Sequence, residues 1–421
     1  MRQVMLNKKD GSGGRDGGML NDIRVLEISA PETMLGGQIL GDLGANVIVI
    51  EPPNGAAGRR IEPFLDGVPG LDRSLTWHAL NRNKRAITLD IKSPDGKKIL
   101  GELAAKADIV LEAGYDSGFD ELDVSVTKDP IRCRITPFSR GGPKSTYRAA
   151  DLIYMAASGA PSLAGDADRQ PLFFPIPQAM MEAGAEAAVA ALAGLAARDR
   201  VGISQTVELS VRMAALLSSL TRAVAGGSGD SPGKRGADDM VRVPNMYECA
   251  DGFMLISISM NRSLIHLTKG AAEWAADEGV FPRELANIDW ANFEHLTTSG
   301  QAPANIMSEL VAAIKTLCLS KTKADLTIIA HERGFMAAPV ATMKDIHVSD
   351  QFRERGLFEE TQLAGDGRLV RVPLRFAQFS DYSIELRRPA PLLSQHSHEV
   401  LSEELGLSST EIQTLFVHGV I

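Results

Sequence analysis

The sequence predicts an α/β fold that is built on an open sheet of parallel strands. Two stretches carry this prediction, residues 23–51 and 86–112, because each reads as strand, helix, strand over about thirty residues. Strands joined in this way lie parallel, and the connecting helix makes a right-handed crossover. The strand at Asn46–Glu51 is almost wholly apolar, which is typical of a strand that is covered on both faces of the sheet.

The elements of the first half follow from hydrophobic periodicity and from helix-start signals. Ser93 and Pro94 are the residue types of an N-cap and a first helical position, so a helix begins there and runs to Lys106. The other elements predicted in this half are a strand at 23–28, a helix at 36–43, and strands at 46–51, 87–91, 108–112 and 131–135.

A proline-rich loop at the centre of the chain, residues 171–182, leads into an alanine-rich helix at Ala183–Arg198. The helix is apolar on all sides, which predicts that it is buried. Because a loop that delivers a side chain to a helix N-terminus is a common way to build an active site, we expect the site here. A strand at 205–210 and a helix to about Val224 follow.

The composition changes at the glycine-rich stretch 226–233, which predicts a domain boundary. Beyond it, strands at 245–249 and 253–258 flank Asp251 and Gly252, and this pattern predicts a β-hairpin.

The end of the chain returns to strands and turns. Residues 370–373 form a predicted strand, and Ser409–Phe416 form a final helix with Ser409 or Thr410 as its N-cap. We therefore predict four segments, which are a flexible tail at 1–19, a large domain in two parts at 20–225 and 334–421, and a small inserted domain at 226–333.

Composition and charge argue against several classes of function. The chain of 421 residues has a net charge of −9, which disfavours a nucleic-acid partner bound mainly through phosphates. Cys133, Cys249 and Cys318 form no CxxC pair and no cluster with histidine, so we expect buried free thiols rather than a zinc site or disulfides. No run reaches the ~18 apolar residues of a membrane span and the N-terminus has no apolar signal core, so we expect a cytoplasmic protein.

Five strings, each weak alone, together resemble the family III CoA-transferases, which include formyl-CoA transferase, carnitine CoA-transferase and α-methylacyl-CoA racemase. They occur in the order of that family and span about residues 20–421. The matching strings are 23–27 with 41–48 and 51–53, then 81–90 (NRNKRAITLD), Arg375-Phe376, 388–393 (RPAPLL) and 419–421.

The resemblance implies a Rossmann-like large domain formed by both chain ends, a small inserted α+β domain, and an interlocked dimer in which two chains thread through each other. It also implies an activity, the movement of CoA between an acyl-CoA and a carboxylic acid. CoA is then a substrate, and no metal or covalently held cofactor is expected.

The transferases of this family use an aspartate nucleophile in a pattern close to Gly-x-Pro-x-x-Asp. The matching string here, Pro175 to Met180, places Met180 at that position. A thioether has no anionic oxygen, so it cannot form the mixed anhydride of covalent catalysis. Glu182 is the alternative nucleophile, although it would point about 200° away from Met180 on a helix unless the register shifts. Its other interpretation is an acid in the first turn that favours the helix dipole.

The racemases of the family use a His-Asp pair, in which the histidine belongs to a segment resembling Gly-His-Asp. The matching segment here is Ala149-Ala150-Asp151, so Ala150 stands at the histidine position. Ala150 cannot carry a proton, and the second member is again Met180. We therefore expect Asp151 to act as a structural cap.

The expected CoA contacts are also altered. An arginine that faces CoA phosphate in the family is replaced by Tyr115, beside Asp116, which would repel a phosphate. The turn at 30–37 is one residue shorter than in the family, and the stretch 226–233 is either the family's mobile lid or a plain linker. The remaining basic residues are either contacts to CoA or a solvated face: Arg59, Arg60, Arg82, Lys84 and Arg85.

These departures favour a non-catalytic subunit that interlocks with a homologous catalytic chain. The succinyl-CoA:(R)-benzylsuccinate CoA-transferases of anaerobic aromatic degradation are the heteromeric example, and whether this chain itself binds CoA stays open. The alternative is a self-sufficient homodimeric transferase or lyase that uses Glu182. A module that binds an acyl-CoA without chemistry is the third hypothesis.

Overall fold

The structure is a computed structural model that describes residues 18–115, 129–165, 168–229, 246–259 and 263–421. These ranges do not include most of the predicted tail, Asp116, or residues 230–233 of the glycine-rich stretch. The chain divides into two compact units. The large unit comprises 1–164, 171–232 and 351–421, and the small unit comprises 165–170 and 233–350.

The strands are numbered in chain order. They are β1 Arg24–Ile28, β2 Asn46–Glu51, β3 Lys84–Thr88, β4 Ile109–Ala113, β5 Ile131–Thr136, β6 Thr206–Ser210, β7 Met246–Cys249, β8 Gly252–Ile256, β9 Ala337–Pro339, β10 Phe358–Gln362 and β11 Leu369–Pro373.

The α-helices are numbered in the same way. They are α1 Met34–Asp42, α2 Leu75–Leu80, α3 Pro94–Ala104, α4 Asp151–Ser158, α5 Gln178–Val201, α6 Val211–Leu216, α7 Leu220–Gly227, α8 Ile265–Asp277, α9 Arg283–Ala286, α10 Phe293–Thr298, α11 Ile306–Leu319, α12 Lys323–Arg333, α13 Met343–Val348, α14 Asp350–Glu354, α15 Ser397–Glu399 and α16 Ser409–Val417.

The central sheet of the large unit confirms the predicted α/β class. Its six strands run in the order β3-β2-β1-β4-β5-β6, and every neighbouring pair is parallel. This is the strand order of the Rossmann fold, in which ligands bind at the carboxyl edge where the order reverses. Here the reversal lies between β1 and β4.

Both faces of this sheet are covered, as the apolar β2 predicted. Val25 of β1 belongs to the core beneath α1 and α5. Leu26 belongs to the opposite core, which α3 and the C-terminal residues Val420 and Ile421 complete. The N–H of Asp90 also donates to the carbonyl of Val420 at 2.7 Å, so the end of the chain is part of the large unit.

The small unit contains the predicted hairpin, β7 and β8, which pair antiparallel. β9 pairs with the other edge of β8, and Phe335 stacks on Trp274 at 5.4 Å between ring centroids. For this reason the unit continues to Asp350, beyond the boundary predicted at 333.

Most of the predicted ends differ from the observed ones by a few residues, and three of the differences have a clear physical reason. β3 begins at Lys84 instead of residue 87, because ion pairs allow its charged residues to be buried. α5 begins at Gln178 instead of Ala183, because a side chain from another helix supplies its cap. The cap of α16 is Ser408, which forms a capping box with Glu411. The Ser93 cap of α3 is confirmed.

The predictions about the cysteines and about membrane-spanning segments can be compared with the structure. The three cysteines are buried free thiols, as expected. Among the described residues, one helix, α5, is long and apolar enough to cross a membrane by length and composition, contrary to the expectation that no run reaches that length. Its residues Ala183, Ala187, Ala188 and Ala191 are fully buried within the large unit, as in a core helix.

Candidate active site

The candidate site lies where β1, β4 and β5 end and where α4 and α5 begin. A cavity of about 320 Å³ opens at this edge of the sheet. It is lined by Ala30, Glu32, Ala113, Gly114, Tyr115, Ile135, Thr136, Pro137, Arg148, Ala149, Tyr154 and Val211. Its position matches the crevice that parallel α/β sheets use for ligands.

Met180 is the third residue of α5 and is half-buried. Its side chain packs against the apolar cluster that includes Ala179 and Ala183, and it also contributes to a small apolar recess with Met34. The structure therefore places a thioether at the start of the helix, where the motif comparison expected a carboxylate.

Asp151 belongs to α4, but its side chain caps the neighbouring helix α5. It is the first residue of α4, and its Oδ1 accepts a hydrogen bond of 3.0 Å from the N–H of Met180. The structural role predicted for Asp151 therefore has a defined partner. Its Oδ2 is buried without a hydrogen-bond partner, and burial raises the pKa of this carboxyl group.

Glu182 lies in the same helix as Met180, since α5 is helical from Gln178 onward. The helical register keeps the two side chains about 200° apart, and no shift brings Glu182 into the position of Met180. The Oε2 of Glu182 is buried without a partner. Burial raises the pKa of this carboxyl, and the charges of Asp151 and Glu186 raise it further.

Two residues of the site were missed by sequence reasoning, Glu32 and Tyr154. Glu32 lies in the turn before α1 and lines the cavity, and the Tyr154 hydroxyl donates to its Oε1 at 3.5 Å. Burial raises the pKa of Glu32, and the charge of Asp151 adds to the effect. The shortened turn at 30–37 was the sequence signal that could have identified Glu32.

Arginine side chains on the loop before α4 were also missed. Arg148 lines the main cavity, and together with Tyr115 it also lines a second one of about 400 Å³ that contains Arg140, Ser145 and Thr146. The hydroxyl of Tyr115 is buried without a partner. Guanidinium groups are suited to phosphate and carboxylate recognition, so this side of the site offers contacts for an anion.

The basic residues predicted to contact CoA make internal contacts in the structure. Arg59 is fully buried; it donates to Glu51 at 2.6 Å and to Asp72 at 2.7 Å, and its guanidinium lies 3.9 Å from the centre of the Trp77 ring. Arg60 donates to backbone carbonyls nearby, among them that of Gly55.

The three basic residues of the NRNKRAITLD string are also held in ion pairs. Arg82 pairs with Asp42 at 2.8 Å, and Lys84 pairs with Glu27 at 2.7 Å. Arg85 bridges the carboxylates of Glu399 and Glu404. These contacts give each cation a structural role, and contact with CoA stays a prediction for all five residues.

The Lys84–Glu27 pair also holds the turn that carries Glu32. Lys84 donates to the carbonyl of Met34 at 2.8 Å, and the hydroxyl of Thr33 donates to Glu27 at 2.9 Å. The side chains of Lys84 and Glu27 are both fully buried. The position of Glu32 at the cavity therefore depends on a buried network that joins β1, β3 and the start of α1.

Comparison with curated proteins finds similar enzymes along almost the whole chain. A succinate–glutarate CoA-transferase of Agrobacterium fabrum is 29% identical over 408 residues, which are 91% of this chain and 95% of that enzyme. The subunit BbsE of succinyl-CoA:(R)-benzylsuccinate CoA-transferase from Thauera aromatica is 27% identical over 406 residues, 94% of this chain and 97% of that subunit.

Solved structures share the fold. A CAIB/BAIF family protein from Brucella suis superposes with a TM-score of 0.75 at 23% identity, covering 92% of this chain and 100% of that one. Rv3272 from Mycobacterium tuberculosis gives a TM-score of 0.70 at 23% identity, with coverage of 91% and 99%. The model of the family described as CoA-transferase family III matches residues 20–397. This chain therefore belongs to CoA-transferase family III.

Proposed function

We propose that this chain is the non-catalytic subunit of a hetero-oligomeric CoA-transferase, in which a homologous chain supplies the nucleophilic aspartate. The observation that carries the proposal is Met180 at the start of α5. An anhydride requires a carboxylate at the reacting centre, and a thioether cannot replace it. Asp151 does not stand at that position, because it is the first residue of α4 and its Oδ1 caps α5 by accepting from the N–H of Met180.

The similarity to BbsE supports the same proposal, because that protein is named as a subunit. By analogy, the complex exchanges CoA between succinyl-CoA and a second carboxylic acid, with benzylsuccinate as one candidate. We further propose an interlocked arrangement of the two chains and a cytoplasmic location. CoA phosphates would contact the Arg140 and Arg148 side of the site, where cationic groups line the cavities.

A self-sufficient homodimer that uses Glu182 is the second candidate. It is favoured by one observation, the buried and unpartnered Oε2 of Glu182 in the second turn of α5. The helical register opposes it, since Glu182 lies on a different side of the helix from Met180.

The decisive experiment traps the anhydride. The purified chain is incubated with succinyl-CoA and hydroxylamine, and peptides spanning 171–200 are searched for a hydroxamate by mass spectrometry. The same is done after co-expression with a homologous chain that contains Gly-x-Pro-x-x-Asp. We expect no adduct on this chain in either case and an adduct on the partner, together with transferase activity only in the complex.

Matched variants sharpen the result. Met180→Asp should create a hydroxamate at position 180, whereas Met181→Asp, on the next residue of the helix, should not. A hydroxamate on Glu182 of the unmodified chain that disappears in Glu182→Gln would overturn the non-catalytic role and establish the homodimeric alternative.

A further inference from the structure

The side chain of Tyr115 lies at two cavities on the carboxyl edge of the sheet. Among the described residues, Tyr115 and Arg148 are the two that line both the main cavity of about 320 Å³ and the second cavity of about 400 Å³. The Tyr115 hydroxyl is buried and has no hydrogen-bond partner within the described part of the chain. A buried hydroxyl without a partner is unfavourable, so a ligand that supplies an acceptor there is stabilised.

The backbone fixes the position of Tyr115. The preceding residue, Gly114, has a φ of +87°, which turns the chain directly after β4 and favours glycine. The N–H of Gly114 donates to the carbonyl of Ile135, near the end of β5, at 2.9 Å. Backbone contacts therefore hold Tyr115 at the edge of the sheet, and its hydroxyl takes no part in them.

Arg148 belongs to the loop between β5 and α4. Phe138, at the start of this loop, packs against Tyr147, which directly precedes Arg148, and against Tyr154 of α4, with 6.3 Å between ring centroids in both pairs. These contacts join the two ends of the loop, so the Arg148 side chain starts from a defined position beside both cavities. A guanidinium group is well suited to the recognition of a carboxylate.

A hydroxyl donor and a cation that line the same cavity favour a ligand with a carboxylate. The hydroxyl donates a charge-assisted hydrogen bond to it, and Arg148 supplies the opposite charge. Apolar lining residues, among them Ile135 and Val211, suit a short carbon chain. Glu32 also lines this cavity, but burial raises the pKa of its carboxyl group, so it carries a negative charge over a narrower pH range than an exposed glutamate.

We propose that the main cavity binds a half-acid acyl group, meaning the acyl group of a dicarboxylic acid with one carboxylate free, and that the Tyr115 hydroxyl donates to this free carboxylate. Tyr115 is then a specificity-determining residue, because an acyl group that ends in a methyl leaves its hydroxyl unpaired. The inference rests on the proposed function, since succinyl and benzylsuccinyl groups are half-acid acyl groups. Arg140 lines only the second cavity and is not part of this contact.

The test compares two thioesters of N-acetylcysteamine, glutaryl and pentanoyl, whose acyl chains are equally long and differ only in a carboxylate or a methyl at the far end. Neither compound contains a phosphate. Calorimetry measures their affinities for the full chain, alone and in complex with a homologous chain. We expect the glutaryl thioester to bind at least about tenfold more tightly, because a hydrogen bond to a charged group is lost in the other.

Tyr115→Phe should remove this preference, since it deletes the hydroxyl and keeps the ring. Tyr147→Phe is the matched control and should retain the preference, because Tyr147 is 54% exposed and lines neither cavity. Equal affinities of the two thioesters for the unmodified protein, or a preference that survives Tyr115→Phe, overturn the inference.

The stability of the protein without ligand gives a second readout. Because the Tyr115 hydroxyl has no partner, Tyr115→Phe should leave the midpoint of urea unfolding unchanged or raise it. A lowered midpoint would show that the hydroxyl stabilises the fold instead of a ligand, which overturns the inference.

A titration with CoA tests whether the anion at Tyr115 is a phosphate. If Tyr115→Phe weakens the binding of CoA and leaves the preference between the thioesters intact, the hydroxyl contacts a phosphate and the inference is wrong. We expect the reverse, an unchanged affinity for CoA and a lost preference.

The inference and the proposed function can fail separately. A hydroxamate on this chain contradicts its non-catalytic role, whereas a glutaryl preference that depends on Tyr115 still supports the inference. Transferase activity of the complex without any preference between the thioesters overturns the inference and leaves the proposed function standing.

Discussion

Asp151 connects two helices through a single carboxylate. The amide hydrogens in the first turn of a helix have no acceptor within the helix, so a neighbouring element can supply one. Asp151 does this for α5 by accepting from the N–H of Met180 with Oδ1, and its Oδ2 is buried without a partner. The effect extends to Glu182, whose pKa is raised by burial first and by the charge of Asp151 second.

Glu182→Gln should therefore change how stability depends on pH. The native pKa of Glu182 lies above its ordinary value of 4.5, so the folded state holds this proton more tightly than the unfolded state. The stabilising contribution of the Glu182 proton is fully present below about pH 4.5, and it is lost as the pH rises through the pKa of the folded state. The variant should lose less stability over that interval than the unmodified protein.

Urea titrations at a series of pH values, at fixed protein concentration, measure this difference. Glu102→Gln, on the exposed face of α3, serves as the control and should follow the unmodified protein. Parallel curves for Glu182→Gln and the unmodified protein would show that the Glu182 proton is bound equally in both states.

At the scale of elements, the buried pair of Lys84 and Glu27 determines how closely α1 approaches the sheet. A Cβ atom on Gly37 of α1 would lie 1.9 Å from Glu27 Oε2 and 3.0 Å from Lys84 Nζ. Only glycine leaves room for this pair, and the pair in turn fixes the turn that carries Glu32. The close approach of the helix is therefore a condition for the shape of the cavity.

Gly37→Ala should destabilise the protein by at least about 2 kcal/mol, since it combines overpacking with displacement of a buried ion pair. Gly101→Ala is the matched control, because it also lies within a helix, α3, and a Cβ there meets no atom within 4 Å. The control should be stabilised by about 0.5–1 kcal/mol through helix propensity. The midpoint of urea unfolding measures both, and equal shifts for the two variants would refute the packing argument.

At the scale of the whole chain, the large unit depends on its C-terminal residues. Val420 and Ile421 are 6% and 8% exposed and belong to the same core as Leu26 and Ile87. The Asp90 N–H donates to Val420 as well. Residues near opposite ends of the sequence thus share one hydrophobic core, and the two ends of the large unit should unfold together.

Deletion of residues 419–421 should cost about 3 kcal/mol or more, because it exposes two aliphatic side chains and leaves the Asp90 N–H without its partner. Phe416→Ala, at a position of α16 that is 70% exposed, should change stability by no more than about 0.5 kcal/mol. The midpoint of thermal or urea unfolding, measured for the deletion, for Phe416→Ala and for the unmodified protein, gives both changes in stability. An unchanged midpoint for the deletion would mean that the end of the chain is not part of the core.

Much of the fold was predictable because its signals are local. The apolar run Asn46–Glu51, the Ser93-Pro94 helix start and the hairpin around Gly252 each depend on residues close together in sequence. The start of β3 at Lys84 was not predictable in this way, because a lysine is compatible with a buried strand only when a distant carboxylate, here Glu27, pairs with it. The same reason applies to α5, whose cap comes from Asp151.

The sequence by itself determined the α/β class, the parallel sheet and the resemblance to CoA-transferase family III, and it supplied the prediction that Met180 stands at the nucleophile position. Only the tertiary structure decided that Asp151 of α4 caps α5, that Tyr115 and Arg148 share a cavity with Glu32, and that the basic residues of 81–90 are held in ion pairs. Periodicity and motifs report on neighbours along the chain, whereas a buried charge is satisfied or left unpaired by groups that folding brings from elsewhere.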